Sequence, residues 1–338
     1  MKILVLGGCG FVGSNICIYL QNKNFNVTSV DNLSRETSKI NLERLKKNGI
    51  INYCFDLSIN NKLLQLKKFD LLIDCCAEPS VEVSKSNIEL VFNSNLKSTL
   101  NILEKCKLDN SKIIFLSSSR VYSIKEINSR VKNINKKFNK FLIGESFSTD
   151  SPISIYGYTK LCSEKLIREY AYAFNIKYLI NRFGVISGPW QFGKQDQGFF
   201  SLWIWRHLKG QKLEYIGYEC KGNQIRDILH ISDVCDLIYE QIINLKKTYN
   251  HTFNAGGGLK NSLSLKELTK MCQKLTNNKI QIQKNNIKTS IYDIPYYISD
   301  NKKIYSKYKW RVKRNIKNIL DDTYRVLINN KKTFDKIK

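Results

Sequence analysis

The chain has 338 residues, 42% hydrophobic and 25% charged, enough to bury a sizeable core and ordinary for a water-soluble globular protein of one large or two smaller domains. Its 55 Lys and Arg against 29 Asp and Glu give a net charge of +26, yet the lysines are spread among asparagines and isoleucines without any DNA- or RNA-recognition motif, so a solvated basic surface is expected and no nucleic-acid partner. There is no long apolar run to span or anchor in a membrane, three scattered histidines (His207, His230, His251) lack metal-ligand spacing, and ten cysteines without a C-x-x-C pair fit a reducing cytoplasm.

Residues 2–6, Lys-Ile-Leu-Val-Leu, read as a buried parallel strand. Gly7-Gly8-Cys9-Gly10-Phe11-Val12-Gly13 follows at once, and Ser14 to Leu20 reads as a helix. Strand, glycine-rich turn and helix in that order is the context of a dinucleotide-binding loop. Glycines let the backbone approach a pyrophosphate, and the helix N-terminus presents free N–H groups and a positive dipole end. A second strand, Asn26 to Val30, ends at Asp31, whose carboxylate can accept from the ribose hydroxyls of NAD and would repel the 2'-phosphate of NADP. Arg35 lies close enough to keep NADP open.

A third strand around Ile51 to Phe55 leads to Asp56-Leu57, which either meets the adenine or is a plain loop. Phe69 to Cys75 is a fourth strand, after which Ala77-Glu78-Pro79-Ser80 should line the cofactor groove. A helix from about Ile88 to Cys106 carries Asn95, either a buried hydrogen-bond bridge or an exposed polar residue. The fifth strand, Ile113 to Leu116, runs into Ser117-Ser118-Ser119-Arg120-Val121-Tyr122. Doubly wound sheets bind ligands beyond the C-terminal ends of their strands, so a serine here can bond a substrate hydroxyl, or can be a turn residue or helix cap.

The Lys- and Asn-rich stretch Lys125 to Lys140 is placed on the surface. A helix from Ile155 to Phe174 then carries Tyr156-Gly157-Tyr158-Thr159-Lys160. Four residues apart, Tyr156 and Lys160 share one helix face, and a cation beside a phenol favours the phenolate that a proton acceptor needs. Alone, the same spacing also describes a packing tyrosine and a solvated lysine. Tyr178 to Phe183 is a sixth strand, followed by the aromatic and amide-rich segments Gly188-Pro189-Trp190-Gln191-Phe192-Gly193 and Asp196-Gln197-Gly198-Phe199. Arg226, inside the apolar strand Gln224 to His230, would be explained by a phosphate partner or by an ion pair with Asp227 or Asp233. Helices near Leu265 to Leu275 and Ile316 to Val326 suit a smaller lobe closing over the groove.

Taken together, the glycine loop, Asp31, the serine strand end, Y-x-x-x-K and the Arg226 strand resemble the extended short-chain dehydrogenase/reductase family of nucleotide-sugar epimerases and dehydratases. Asp31-Asn32-Leu33-Ser34-Arg35, Gly188 to Phe192, Asp196-Gln197-Gly198 and Gln224 to Asp227 are similar to its CDP-paratose 2-epimerase subfamily. The resemblance implies an α/β fold. It has a Rossmann-type doubly wound parallel sheet over residues 1–186, completed by about 226–250, and a smaller C-terminal α/β substrate lobe over 187–225 and 251–330. It implies Tyr156 as the acid/base, Lys160 tuning it and binding the nicotinamide ribose, and Ser118 in the catalytic Ser/Thr position with Ser119 the other candidate. It surrounds NAD with Gly7, Gly10, Phe11, Val12, Gly13, Asp31, Asn32, Ser34, Arg35, Asp56, Leu57, Cys75, Ala77, Asn95, Tyr156, Lys160 and Phe183. It gives a nucleotide-diphosphate sugar to Ser118, Ser119, Glu78, Gln191, Gln197 and the phosphate-gripping Arg226. The implied reaction oxidises the sugar to a keto intermediate and returns the hydride to its other face, in a homodimer or higher homo-oligomer built on the helices near 88–106 and 155–174. Ser119 and Arg120 stand where related 4,6-dehydratases carry an acidic pair, which disfavours loss of water.

Overall fold

Two faces of one strand seed the molecule. In β1 (Lys2–Leu6), Ile3 and Val5 enter one hydrophobic cluster while Leu4 and Leu6 enter another, the period-two alternation of an extended chain buried on both sides. The computed structural model describes residues 1–133, 141–194, 197–284 and 288–335. In it β1 is followed by β2 (Asn26–Val30), β3 (Ile51–Tyr53), β4 (Leu71–Asp74), β5 (Lys112–Ser118), β6 (Tyr178–Phe183), β7 (Val185–Ser187), β8 (Leu213–Tyr215), β9 (Ile225–His230) and β10 (His251–Ala255).

Seven of these form one parallel sheet in the order β10-β6-β5-β4-β1-β2-β3. The chain winds outward in one direction from β1 and in the other from β4, so the crevice for a ligand opens at the ends of these two neighbours. Helices Phe11–Gln21 and Ile231–Asn244 cover one face through Ile16, Leu20, Leu237 and Ile238. Ser98–Asp109 and Ile155–Phe174 cover the other through Ile102, Leu103 and Ile167. This is the Rossmann-type doubly wound sheet expected from the sequence.

Beyond β6 a smaller four-stranded sheet is built on β9, which runs parallel to β7 and to Tyr296–Tyr297 and antiparallel to Ser262–Ser264. Its helices enclose a separate core around Phe200, Trp203, Ile228, Leu268 and Ile319.

Four details differ from the sequence reading. The first helix begins at Phe11, so Gly13 lies inside its first turn and not in the loop. The helix expected over Ile88 to Cys106 is Ile88–Phe92, a π-helical turn at Asn93–Lys97, then Ser98–Asp109. Residues from 251 were given to the smaller lobe, but His251–Ala255 is the seventh strand of the large sheet, paired with β6. Its opening His-Thr is too polar to read as strand. The stretch placed on the surface from Lys125 begins as the helix Ile124–Asn133, which buries Ile124 and Ile127; residues 134–140 lie outside the described residues.

Candidate active site

At the end of β1 the chain turns through Gly7, whose φ of +72° is in the left-handed region that glycine enters without steric cost. The N–H groups of Gly7 and Gly8 both donate to the Val30 carbonyl, at 2.9 and 3.2 Å, which ties the loop to the end of β2. A Cβ on Gly13 would overlap the Gly7 carbonyl, so the first helix presses directly on the loop. That helix has Gly10 as its N-cap, with neither a side-chain cap bond nor an acidic residue in its first turn. Within the helix nothing therefore offsets its leading N–H groups and dipole; the carboxylate beside them is Asp31, from the end of β2.

Asp31 closes the far side. Its carboxylate accepts the N–H of Cys9 at 3.0 Å and of Leu33 at 2.9 Å, which fixes it beside the loop. Burial raises its pKa, and those two bonds and Arg35 oppose the rise. Asn32 donates to Asp56 at 3.0 Å and accepts the Ser34 N–H at 3.1 Å, so this turn supports itself. Burial would raise the Asp56 pKa, but bonds from Ser58 and Asn32 outweigh it and the net shift is downward. A bare helix N-terminus beside a glycine turn, with a carboxylate at the next strand end, fits a dinucleotide's pyrophosphate and ribose.

The catalytic candidates converge from β5 and the helix Ile155–Phe174. Ser118 ends β5, accepts the Arg120 N–H at 3.1 Å, and lies beside the Tyr156 phenol. Burial raises the Tyr156 pKa; the Ser118 hydroxyl and the Arg120 guanidinium draw it down, and the Glu78 carboxylate pushes it up. Gly157 permits this closeness, because a Cβ there would overlap the Arg120 carbonyl. Ser119 begins the short turn beyond, where its carbonyl takes the Tyr122 N–H at 3.3 Å. Of the two serine candidates, it is Ser118 that faces the phenol.

Lys160 is 1% exposed, with its ammonium 3.4 Å from the Cys76 carbonyl and 4.0 Å above the Phe115 ring. Burial lowers its pKa and Asp74 opposes that. The sequence reading made Lys160 the cation that favours the phenolate; in the structure a cation that reading did not name, Arg120, draws the Tyr156 pKa down against the Glu78 carboxylate. Asp74, buried at the end of β4, is the residue the sequence reading missed. Its signal is a carboxylate closing an otherwise apolar strand.

Other expected contacts are spent inside the protein. Asn95 accepts the Glu78 N–H at 2.8 Å and donates to the Thr159 hydroxyl at 3.0 Å, making it the buried bridge between the loop after β4 and the helix Ile155–Phe174. Gln191 accepts from Ser187 and Ser201, both at 2.8 Å, and donates to the Ile186 carbonyl at 3.0 Å. It therefore holds its own loop, whereas substrate contact was expected. Leu57 and Phe183 are core residues, and Cys75 and Ala77 are half-buried at and just past the end of β4. Arg226 pairs with Asp293 at 3.1 Å and the Ile294 carbonyl at 2.6 Å, a partner neither of the two readings from sequence named. Arg35, Glu78 and Gln197, expected to serve different ligands, bond to one another. Among the described residues no group of His, Cys, Asp and Glu could hold a metal, and no helix is long and apolar enough to cross a membrane.

Comparison with known proteins places this geometry. CDP-paratose 2-epimerase from Salmonella typhi is 28% identical over 96% of this chain and 98% of its own length. UDP-glucuronate 4-epimerase 5 from Arabidopsis thaliana is 28% identical over 69% of this chain and 52% of its own length. The crystal structure of UDP-glucuronic acid 4-epimerase from Bacillus cereus with UDP-glucuronic acid and NAD superimposes with a TM-score of 0.83 over 97% of this chain and 99% of that one, at 24% identity, and so shares the fold. Residues 3–256 match the model of the NAD dependent epimerase/dehydratase family. With that match over most of its length, the chain belongs to the NAD dependent epimerase/dehydratase family, with NAD as its cofactor.

Proposed function

We propose that this chain is a nucleotide-sugar epimerase with specificity like that of CDP-paratose 2-epimerase. The observation that carries the reading is the approach of Ser118, at the end of β5, to the buried Tyr156 phenol, with Lys160 on the same helix face. Bound NAD supplies the reversible acceptor for the hydride of a sugar carbon. Tyr156 takes the proton of the sugar hydroxyl and later gives it back, and Ser118 orients that hydroxyl. Lys160, carried by Cys76 and Asp74, holds the nicotinamide ribose. Gly7, Gly10, Phe11, Val12 and Gly13 hold the pyrophosphate, and Asp31 holds the adenosine ribose. Arg226, released from Asp293, holds the substrate's phosphates. Similarity to UDP-glucuronate 4-epimerases makes inversion at carbon 4 the competing reading.

The ten free thiols suit a reducing cytoplasm. Ile88, Leu90, Phe92 and Leu108, exposed at 55, 43, 48 and 64%, give the helices between 88 and 109 an apolar outer face, which supports a homodimer formed there and on Ile155–Phe174. The test is purified protein with NAD and a panel of CDP-, UDP-, dTDP- and GDP-sugars. Inversion of CDP-paratose without net absorbance change at 340 nm is expected, and Tyr156→Phe should abolish it. A panel left unchanged refutes the epimerase, inversion of a UDP-sugar at carbon 4 moves the specificity, and net NADH release makes it a dehydrogenase.

A further inference from the structure

Arg35 and Glu78 meet across the site. Arg35 precedes the helix Glu36–Lys47 in the turn after β2, and Glu78 lies in the loop after β4. In the sheet, β1 lies between β2 and β4. A bridge joining those two loops therefore passes beside the glycine turn at the end of β1. The bridge is an ion pair of 2.7 Å between Arg35 Nη2 and Glu78 Oε2. Gln197 joins both, accepting from Arg35 Nη1 and donating to Glu78 Oε1, each at 3.3 Å. Glu78 is itself fixed, its N–H on Asn95 at 2.8 Å and its Oε1 taking the Ser80 N–H at 3.2 Å.

We propose that Glu78 is a determinant of dinucleotide choice: by holding the Arg35 guanidinium it withholds the cation that a 2'-phosphate would need. An arginine a few residues beyond the ribose-binding carboxylate is the usual means of accommodating the 2'-phosphate of NADP. Here one arm of its planar fork is taken by the Glu78 carboxylate and the other by the Gln197 amide oxygen. Arg44, the other guanidinium beside the first helix, is also engaged, by Asn41 at 2.8 Å, Ser14 at 3.2 Å and the Trp190 ring at 4.3 Å. Asp31, Arg35 and Glu78 together carry one net negative charge next to the ribose site. Asp31 alone would favour NAD; Glu78 removes the compensation that Arg35 offers.

The experiment measures dissociation constants of NAD and NADP for the full-length protein by calorimetry, at fixed ionic strength. The variants are Glu78→Gln, Arg35→Met and their combination, with Glu78→Ala replacing Glu78→Gln if that variant does not fold. Freeing Arg35 in Glu78→Gln should improve NADP binding relative to NAD by about three- to tenfold. The gain should shrink in high salt and vanish in the double variant. An unchanged NADP-to-NAD ratio, or a gain that survives without Arg35, overturns the proposal. An equal weakening of both nucleotides also overturns it and makes the pair a simple tie across the groove. The inference rests on NAD as cofactor, and because the readout is binding of two defined nucleotides its failure is distinct from failure of the epimerase reading.

Discussion

Asn95 and Thr159, 64 positions apart, are joined by a buried 3.0 Å bond that fixes the helix Ile155–Phe174 to a π-helical turn. Such a turn inserts one residue and re-aims the side chains after it, which brings the Asn95 amide between Glu78 and Thr159. Asn95→Leu should cost about 1–3 kcal/mol, because the Glu78 N–H and the Thr159 hydroxyl each lose a buried partner. Denaturant unfolding measures this. Turnover should fall with it, since Thr159 is the neighbour of Lys160.

Ser118→Ala removes the hydroxyl that draws the Tyr156 pKa down, so the phenol should become still harder to ionise. In the proposed reaction the proton acceptor is the phenolate, whose fraction grows as pH rises towards the pKa. Raising that pKa must therefore carry the rising limb of the pH–rate profile to higher pH. The loss of rate at neutral pH should be on the order of a hundredfold. A profile that drops uniformly without shifting would show that Ser118 only positions substrate.

The contact of Gly13 with the Gly7 carbonyl leaves no room for a methyl group. Gly13→Ala should push the first helix off the glycine turn, at a cost of about 1 kcal/mol or more in stability. NAD affinity, read by titration calorimetry, should fall as well. An alanine variant that binds NAD as the parent does would mean the pyrophosphate lies elsewhere.

Ser117, next to Ser118 on β5, joins a buried network. Arg182 donates to both Glu164 oxygens, at 2.9 and 2.7 Å, Ser117 donates to the first at 2.7 Å, and Tyr122 links Arg182 to Asn254. Arg182→Met leaves a carboxylate that is 0% exposed with Arg168, at 3.2 Å, as its only remaining ion-pair partner among the described residues. A loss of about 3 kcal/mol in unfolding free energy is expected. Adding Glu164→Met should return part of it, because the uncompensated charge is what costs.

The parallel sheet was legible in the sequence because β1, β4 and β5 are built on apolar runs bounded by polar turns. Strand β1, β2, β6 and the helix Ile155–Phe174 fall on the expected residues. The cofactor loop was legible for a related reason: glycines that relieve close contact have to be glycines. What did not show was the pairing of polar groups over long separations. Asp293 on Arg226, Asp74 near Lys160 and Glu78 on Arg35 depend on which strand lies next to which. Sequence spacing carries no record of that. The seventh strand escaped because a sheet-edge strand needs less apolar surface than a central one.

That edge strand has a consequence for biosynthesis. β10 (His251–Ala255) pairs with β6 (Tyr178–Phe183), and everything that builds β7, β8 and β9 lies between them in the chain. A ribosome releasing the nascent polypeptide thus exposes β6, buried in the finished protein, with one hydrogen-bonding edge vacant until β10 emerges. In that interval it is a template for intermolecular strand addition. A fragment ending at residue 186 should accordingly be recovered as aggregate, and chaperone dependence should be greatest before residue 255 leaves the exit tunnel.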